Sequence, residues 1–308
     1  MTILYKSDPQ RGRAWQALFA QQAPDLPFRI WPDIGDPNDV RYLAAWEPPP
    51  DIHKNFPNLQ VIFSVGAGID QFDLTQIPPS IRVVRMVEPG IRAGMMEYVV
   101  FATLTLHRHI LDYIEAKRAA RWNPIDLVDA AQRRIGVMGL GDLGKGVLTH
   151  LKAFGFPLYG WSRSPHHIDG VTCLAGAESL PDFLKNCDIL ICLLPLTPAT
   201  RGILSRKIFD VLPAGAGLIN VGRGGHLRDA DLLAALASGQ LSGAVLDVFG
   251  SEPLPEDHPF WRHPRILMTP HIASMTHVES GGQALLDNIR RHLAGQPMHG
   301  LIQRDRGY

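Results

Sequence analysis

Cysteine is scarce in this chain. Only Cys173, Cys187 and Cys192 occur among 308 residues. They cluster, their number is odd, and no C-x-x-C pair exists, which argues against a disulfide framework or a zinc site. No metal is expected, and a reducing cytoplasm is the expected compartment. Net charge is also missing: 30 basic residues balance 30 acidic ones. A nucleic-acid or anionic-membrane binder needs an excess of Lys and Arg, so neither partner is expected. A small anionic substrate stays open, because a few local cations suffice for it. No window reaches the about 18 apolar residues of a membrane span. The best candidate, "YVVFATLTLHRHILDY", is interrupted by His107, Arg108 and His109. The opening "MTILYKSDPQ" lacks the apolar segment of a signal peptide. Internal repeats and low-complexity stretches are absent too, which excludes solenoids and arrays.

What remains is a globular composition, 45% hydrophobic and 19% charged, at a length suited to two domains. Short apolar runs, "TILYK", "FRIW", "RYLAAW", "LQVIFSVG" and "RVVRMV", read as strands. "RAWQALFAQQ" reads as a helix between the first two. From Glu97 to about Ala120 one long helix is expected, apolar nearly all round in its first half and so buried between units or at a subunit interface. A second series follows, with strands at "RIGVMG", "PLYGWS", "DILICLLP", "GLINVG", "GAVLDVF" and "RILMTP". The continuous apolar run "DILICLLP" is typical of a strand buried on both faces. Leu143, Val147, Leu148, Leu151 and Phe154 form one helical stripe after the first of these strands. "DADLLAALASG" and "ESGGQALLDNIRRHLAG" are further helices, and the last residues read as a tail. Alternating strands and helices predict an α/β fold with parallel sheets covered by helices.

"GLGDLG", from Gly139 to Gly144, fits G-x-G-x-x-G between a strand and a helix. Gly139 allows the tight turn, Gly141 the approach of a pyrophosphate, and Gly144 close helix–strand packing. Asp142 and Leu143 open the helix, whose N–H groups face the phosphates. About 20 residues further on, an acid would bind the ribose hydroxyls of NAD(H). "YGWSRSP" has Ser162 and Arg163 there instead. A hydroxyl and a guanidinium suit a 2′-phosphate, so NADP(H) is preferred over NAD(H).

Downstream lie "NVGRGGHL", "DVFGSEPL" and "TPHIASM", centred on Arg223, Glu252 and His271. Glu252 follows Arg223 by 29 residues and precedes His271 by 19. Each follows an apolar strand-like run, and residues past strand carboxyl ends border the ligand crevice of an open sheet. Beside a nicotinamide, reduction of a carbonyl needs a hydride on its carbon and a proton on its oxygen. A free histidine, at about 6.5, is mostly neutral at pH 7. A carboxylate beside it favours the imidazolium, and His271 can then give and take that proton. Arg223 can stabilise negative charge developing on that oxygen.

With "SVGAGID", "GLGDLG", "LPLTPATRGIL", "INVGRGGHL", "LDVFGSEPLP" and "MTPHIAS", the chain resembles the D-isomer-specific 2-hydroxyacid dehydrogenase family over nearly its whole length. The compact length, "WEPP" and "WSRS" are most similar to its glyoxylate/hydroxypyruvate reductase A branch. The resemblance implies two doubly wound parallel-sheet domains. One is flavodoxin-like, over 1–97 plus 276–308, and takes the substrate; the other is Rossmann-like, over 98–275, and takes the cofactor. It implies a cleft between them and a homodimer. His271 is then the acid/base, Glu252 its partner and Arg223 the substrate clamp. The backbone of Val65, Gly66, Ala67 and Gly68 would cradle the substrate carboxylate. Leu194, Pro195, Val221 and Gly222 would border the cofactor, and Asp247 would engage the nicotinamide amide. Trp46 either closes the pocket or packs on the surface. Arg92 either adds a second cation for the substrate or binds a loop carboxylate. Arg201 lies near the cofactor or pairs structurally. Ser274, Met275 and His277 would shape the keto-acid pocket. The implied activity is NADPH-dependent reduction of glyoxylate and hydroxypyruvate. The alternatives are a dehydrogenase for another small D-2-hydroxy acid, and a cofactor-sensing corepressor-like binding protein.

Overall fold

The near-continuous apolar runs become strands with both faces covered. A computed structural model describes residues 1–304 of the chain. The chain forms two compact units, Met1–Ile91 with the chain from Met275 onward, and Arg92–Ser274.

The first unit is built on a five-stranded sheet. Its strands are β1 (Thr2–Lys6), β2 (Phe28–Ile30), β3 (Val40–Ala45), β4 (Val61–Ser64) and β5 (Arg82–Val84). They lie in the order β2-β1-β3-β4-β5, and every pair is parallel. That is the flavodoxin-like order. Helix Pro9–Gln22 starts where the Asp8 side chain accepts from the N–H groups of Gln10 and Arg11, with Pro9 in the first turn. Trp15 on that helix is fully buried, and its Nε1 donates to the Val278 carbonyl. Helix Val278–Leu293 thereby packs back onto the first unit through Gly281 and Gly282, which have no room for a side chain beside the Trp15 ring. Up to Arg304 the expected tail is packed, and its last four residues lie outside the described residues. Ile302 is buried among Leu43, Ile62 and Val83, and Arg304 donates to the carbonyls of Leu74, Ile77, Pro78 and Ile81.

The second unit has seven strands: β6 (Ile135–Met138), β7 (Leu158–Ser162), β8 (Thr172–Ala175), β9 (Ile189–Cys192), β10 (Ala216–Asn220), β11 (Leu241–Leu246) and β12 (Ile266–Met268). The order β12-β11-β10-β9-β6-β7-β8 is all parallel. It is a Rossmann-type sheet whose strand order reverses between β6 and β9. All residues of β6, β9 and β10 are buried. A fully buried Leu or Ile contributes roughly 1.5–3 kcal/mol, so these strands anchor the unit.

Three expectations change. The long helix from Glu97 is two helices, Pro89–His107 and Ile110–Arg118, separated where His109 takes a left-handed φ of 56°. The boundary between units falls at Ile91/Arg92 rather than after Glu97, because Met95, Met96 and Val99 pack into the second core. Phe154 leaves the helical stripe: the helix ends at Leu151, and Phe154 sits 40% exposed in a following 3-10 turn. The short, half-exposed edge strand β8 is an addition to the expected strands. Among the described residues no helix is long and apolar enough to cross a membrane.

Candidate active site

The switch point holds the glycine turn. Gly139 follows β6 with φ +104°, and a methyl group on it would lie 2.6 Å from the Leu193 carbonyl oxygen beyond β9. A methyl on Gly144 would lie 1.9 Å from the Gly139 carbonyl oxygen. Only glycine allows helix Asp142–Leu151 to start this close to the sheet. Gly141 is different, with nothing within 4 Å of where its side chain would stand. No side chain caps the helix start at Gly141, so the first N–H groups remain available to an anion. A tight turn, an open glycine and an uncapped helix start together fit a dinucleotide pyrophosphate.

Around this turn the other cofactor candidates divide. Leu194 and Val221 are buried, and a methyl on Gly222 would lie 3.2 Å from the Leu194 carbonyl oxygen. The loops after β9 and β10 therefore touch. Arg201 is exposed, with its guanidinium against Gly225. At the end of β7 the Ser162 hydroxyl turns inward. It is 8% exposed, donates to the Ser164 carbonyl at 2.8 Å, and lies 3.1 Å from His166 Nδ1. It shapes the turn that presents exposed Arg163.

Three loops at the carboxyl ends of adjacent strands carry the reactive groups. Arg223 follows β10, Glu252 follows β11 and His271 follows β12. Hydrogen bonds continue past the strand ends: Asp247 N–H to Asn220 O at 3.1 Å, Thr269 N–H to Leu246 O at 3.0 Å, and His271 N–H to Asp247 O at 2.9 Å. His271 Nδ1 lies 2.7 Å from Glu252 Oε2, both side chains about one-third exposed. The other Glu252 oxygen accepts from the Phe249 N–H at 2.9 Å. Burial alone would raise the Glu252 carboxyl. The hydrogen bonds from His271 and Phe249 and the charges of His271 and Arg223 outweigh it, and the net shift is downward. Glu252 is thus an ionised acceptor, so His271 carries its proton on Nδ1, and Nε2 is the nitrogen turned away from Glu252. A methyl on Gly224 would lie 1.8 Å from the Phe249 backbone, so the Arg223 and Glu252 loops approach each other through that glycine.

Several participants have no sequence pattern of their own. His226 is fully buried; its Nδ1 accepts from the Arg223 N–H at 3.1 Å and its Nε2 reaches the Pro195 carbonyl at 3.3 Å. It is therefore a neutral ring protonated on Nε2, tying the loop after β9 to the backbone of Arg223. Asn220, also fully buried, donates to the Arg223 carbonyl and accepts from the Gly222 N–H. Asp247 is occupied by its own surroundings. Its side chain is 1% exposed, and both oxygens accept from the His271 loop: Oδ1 from Thr269 and Ile272, Oδ2 from Ala273.

Arg92 faces Asp142 at 3.9 Å, a loose pair with both partners about half exposed. Its carboxylate partner lies in the glycine turn. Ile272 and Met275 are exposed, at 46% and 61%. His277 packs against Gly90, and its N–H donates to Glu88.

In the first unit, the "VGAG" turn follows β4. The Val65 N–H goes to Ala45 O and the Gly66 N–H to Ser64 Oγ. The N–H groups of Ala67 and Gly68 have no partner among the described residues. Within the predicted cradle it is therefore this second pair that can receive an anion. Trp46 lies over the turn, where a methyl on Gly66 would be 2.8 Å from its ring. Among the described residues no group of three or more His, Cys, Asp or Glu side chains is placed to hold a metal ion.

Residues 100–273 match the profile of the NAD binding domain of D-isomer specific 2-hydroxyacid dehydrogenases. The chain is similar along all its length to a glyoxylate/hydroxypyruvate reductase A of Yersinia enterocolitica, 38% identical over 315 aligned residues with 100% of both chains covered. Among solved structures it is similar to a D-isomer specific 2-hydroxyacid dehydrogenase from Xanthobacter autotrophicus Py2 in complex with NADPH and MES. The TM-score is 0.93 at 38% identity, covering 100% of this chain and 99% of that one. It is also similar to an NADPH-dependent glyoxylate/hydroxypyruvate reductase from Sinorhizobium meliloti in complex with NADP and sulfate. There the TM-score is 0.92 at 33% identity, with 100% and 99% covered.

Proposed function

Since the chain belongs to the D-isomer specific 2-hydroxyacid dehydrogenase family, in its glyoxylate/hydroxypyruvate reductase A-like branch, we propose that it reduces glyoxylate and hydroxypyruvate with NADPH, giving glycolate and D-glycerate. The observation that carries this reading is the His271–Glu252 pair at 2.7 Å, with the Arg223 charge felt at Glu252, on one edge of the sheet that bears the glycine turn.

When bound, the nicotinamide supplies the hydride for C2 of the keto acid. Gly139, Gly141 and Gly144 and the first N–H groups of helix Asp142–Leu151 would hold its pyrophosphate. Leu194, Pro195, Val221 and Gly222 would border it, and Arg163 would meet the 2′-phosphate. The chain's own work is the proton and the charge. His271, charged and held by Glu252, gives the Nε2 proton to the carbonyl oxygen, so one hydride and one proton complete the reduction. Glu252 keeps the ring oriented and stabilises its charged form. Arg223 binds the oxygens on which negative charge grows. In the first unit, the N–H pair of Ala67 and Gly68 is assigned to the substrate carboxylate.

NADPH is favoured over NADH because Arg163 stands where an acid would select the free ribose, and because relatives of known structure carry NADPH or NADP. The cytoplasm suits three cysteines that form no disulfide. A homodimer is proposed from the exposed apolar side chains Phe101, Ile110, Trp122 and Leu127 on the helix pair and the segment after it; light scattering measures its mass. The reading as a whole is tested by steady-state assays of glyoxylate, hydroxypyruvate, pyruvate and 2-oxobutyrate with both cofactors. No cofactor oxidation with any of them overturns it.

A further inference from the structure

His271 has φ +56°, a left-handed conformation that a residue with a side chain keeps only when its surroundings hold it. Here one residue does most of the holding. The N–H of His271 donates to the Asp247 carbonyl at 2.9 Å, that of Ile272 to Asp247 Oδ1 at 2.8 Å, and that of Ala273 to Asp247 Oδ2 at 2.7 Å. Three successive N–H groups are wound onto Asp247, so the left-handed turn depends on where its carboxylate sits.

That position is set by two hydroxyls. Thr269 Oγ1 donates to Asp247 Oδ1 at 2.6 Å, and the Tyr98 hydroxyl is hydrogen-bonded to Thr269 Oγ1. A carboxylate only accepts and threonine has one hydroxyl proton, so Tyr98 must be the donor to Thr269. The order Tyr98, Thr269, Asp247 is therefore fixed. Tyr98 stands on helix Pro89–His107 with its ring against Phe101 at 6.0 Å, which holds the start of the chain in place. Burial, with a smaller contribution from the Asp247 charge, pushes the Tyr98 phenol up to about 12, so it stays a donor at neutral pH.

We propose that Tyr98, acting through Thr269 and Asp247, is a positioning residue for His271. It touches no reacting atom. It aims the carboxylate on which the loop is wound, and so sets the direction of the His271 ring toward the carbonyl oxygen. This rests on His271 being the acid/base of the proposed reaction.

A pH dependence follows. Burial raises the Asp247 carboxyl, while hydrogen bonds from Thr269, Ala273 and Ile272 and the charge of His271 oppose it. The groups facing it are Thr269 and His271, with Tyr98 behind Thr269. Losing the Thr269 donor raises the carboxyl further, so its protonation sets in at a higher pH than in the parent. A protonated Asp247 presents an O–H where an N–H must be received, and the loop loosens.

The test compares Tyr98→Phe, Thr269→Val, Thr269→Ser, the Tyr98→Phe/Thr269→Val double variant and His271→Ala. Tyr98→Phe and Thr269→Val should each lower kcat about tenfold, and the double variant should be no worse than Thr269→Val, since the two act as one unit. Thr269→Ser should restore kcat. The acid limb of the kcat profile should move to higher pH in Thr269→Val, while NADPH binding stays within about twofold of the parent. In the cofactor-free variants, amide exchange should quicken at Ile272 and Ala273 above any change elsewhere. Unchanged kcat and pH profile in Tyr98→Phe and Thr269→Val, with His271→Ala inactive, would overturn the inference alone. So would faster exchange spread evenly over the protein. An active His271→Ala would instead overturn the acid/base reading on which it rests.

Discussion

Oε2 of Glu252 lies 2.7 Å from Nδ1 of His271, and the other oxygen of the same carboxylate is held by the Phe249 N–H at 2.9 Å. One carboxylate thus fixes both the tautomer and the plane of the ring. Glu252→Gln keeps the shape and removes the charge. It should lower kcat about 10- to 100-fold, with a smaller change in KM, because Glu252 keeps the ring protonated and aimed for the transfer without touching the substrate. Equal loss through KM alone would reassign Glu252 to ground-state binding. The folded-state carboxyl of Glu252 is lowered below its ordinary value. Its stabilising contribution is therefore full above the ordinary carboxylate range and lost as pH falls through the lowered value. Denaturation followed against pH should show the parent losing this increment in acid and Glu252→Gln lacking it throughout.

The glycine turn gives a paired test of folding against binding. Gly144→Ala places a methyl 1.9 Å from the Gly139 carbonyl oxygen, which should destabilise the second unit on the order of 3 kcal/mol or more. Gly141→Ala meets nothing within 4 Å. It should unfold like the parent in urea yet bind NADPH at least about tenfold more weakly, because its methyl stands where a pyrophosphate must come. Fluorescence titration with NADPH separates the two. Parent-like NADPH binding by Gly141→Ala would remove the pyrophosphate from this turn.

Arg163 is exposed, while Ser162 beside it is turned into its own loop. In the proposed reading it is therefore the arginine that selects the 2′-phosphate. Arg163→Ala should reduce kcat/KM for NADPH about 10- to 100-fold and leave that for NADH nearly unchanged. A parallel fall for both cofactors would mean that Arg163 supports the fold of the loop instead.

The sheets were legible because buried parallel strands are almost continuously apolar, as in β6, β9 and β10. Gly139 and Gly144 were legible because their positions admit no side chain. Arg223, Glu252 and His271 stood out by recurring past strand ends. The break at His109 was hidden, since a left-handed residue there needs no glycine or proline to announce it. Tyr98 and Thr269 were hidden for another reason: they meet across 171 residues of sequence, and nothing local in either marks the other. Asp247 was visible but its direction was not. Whether a carboxylate at a strand end faces a ligand or its own loop depends on which N–H groups the next loop offers.

His226 tests this last point, because only the structure distinguishes it from the chain's other histidines. It is fully buried, accepts from the Arg223 N–H and reaches the Pro195 carbonyl. His226→Ala strands both backbone groups away from water and leaves a cavity, so the second unit should lose about 2–4 kcal/mol. The released Arg223 backbone should also raise KM for the keto acid about tenfold. If positioning is the cause, His226→Gln should recover part of the stability and little of the KM, since one amide cannot match both ring nitrogens at 3.1 and 3.3 Å. A KM equal to the parent's in His226→Ala, measured below its unfolding temperature, would leave the ring with a structural role only.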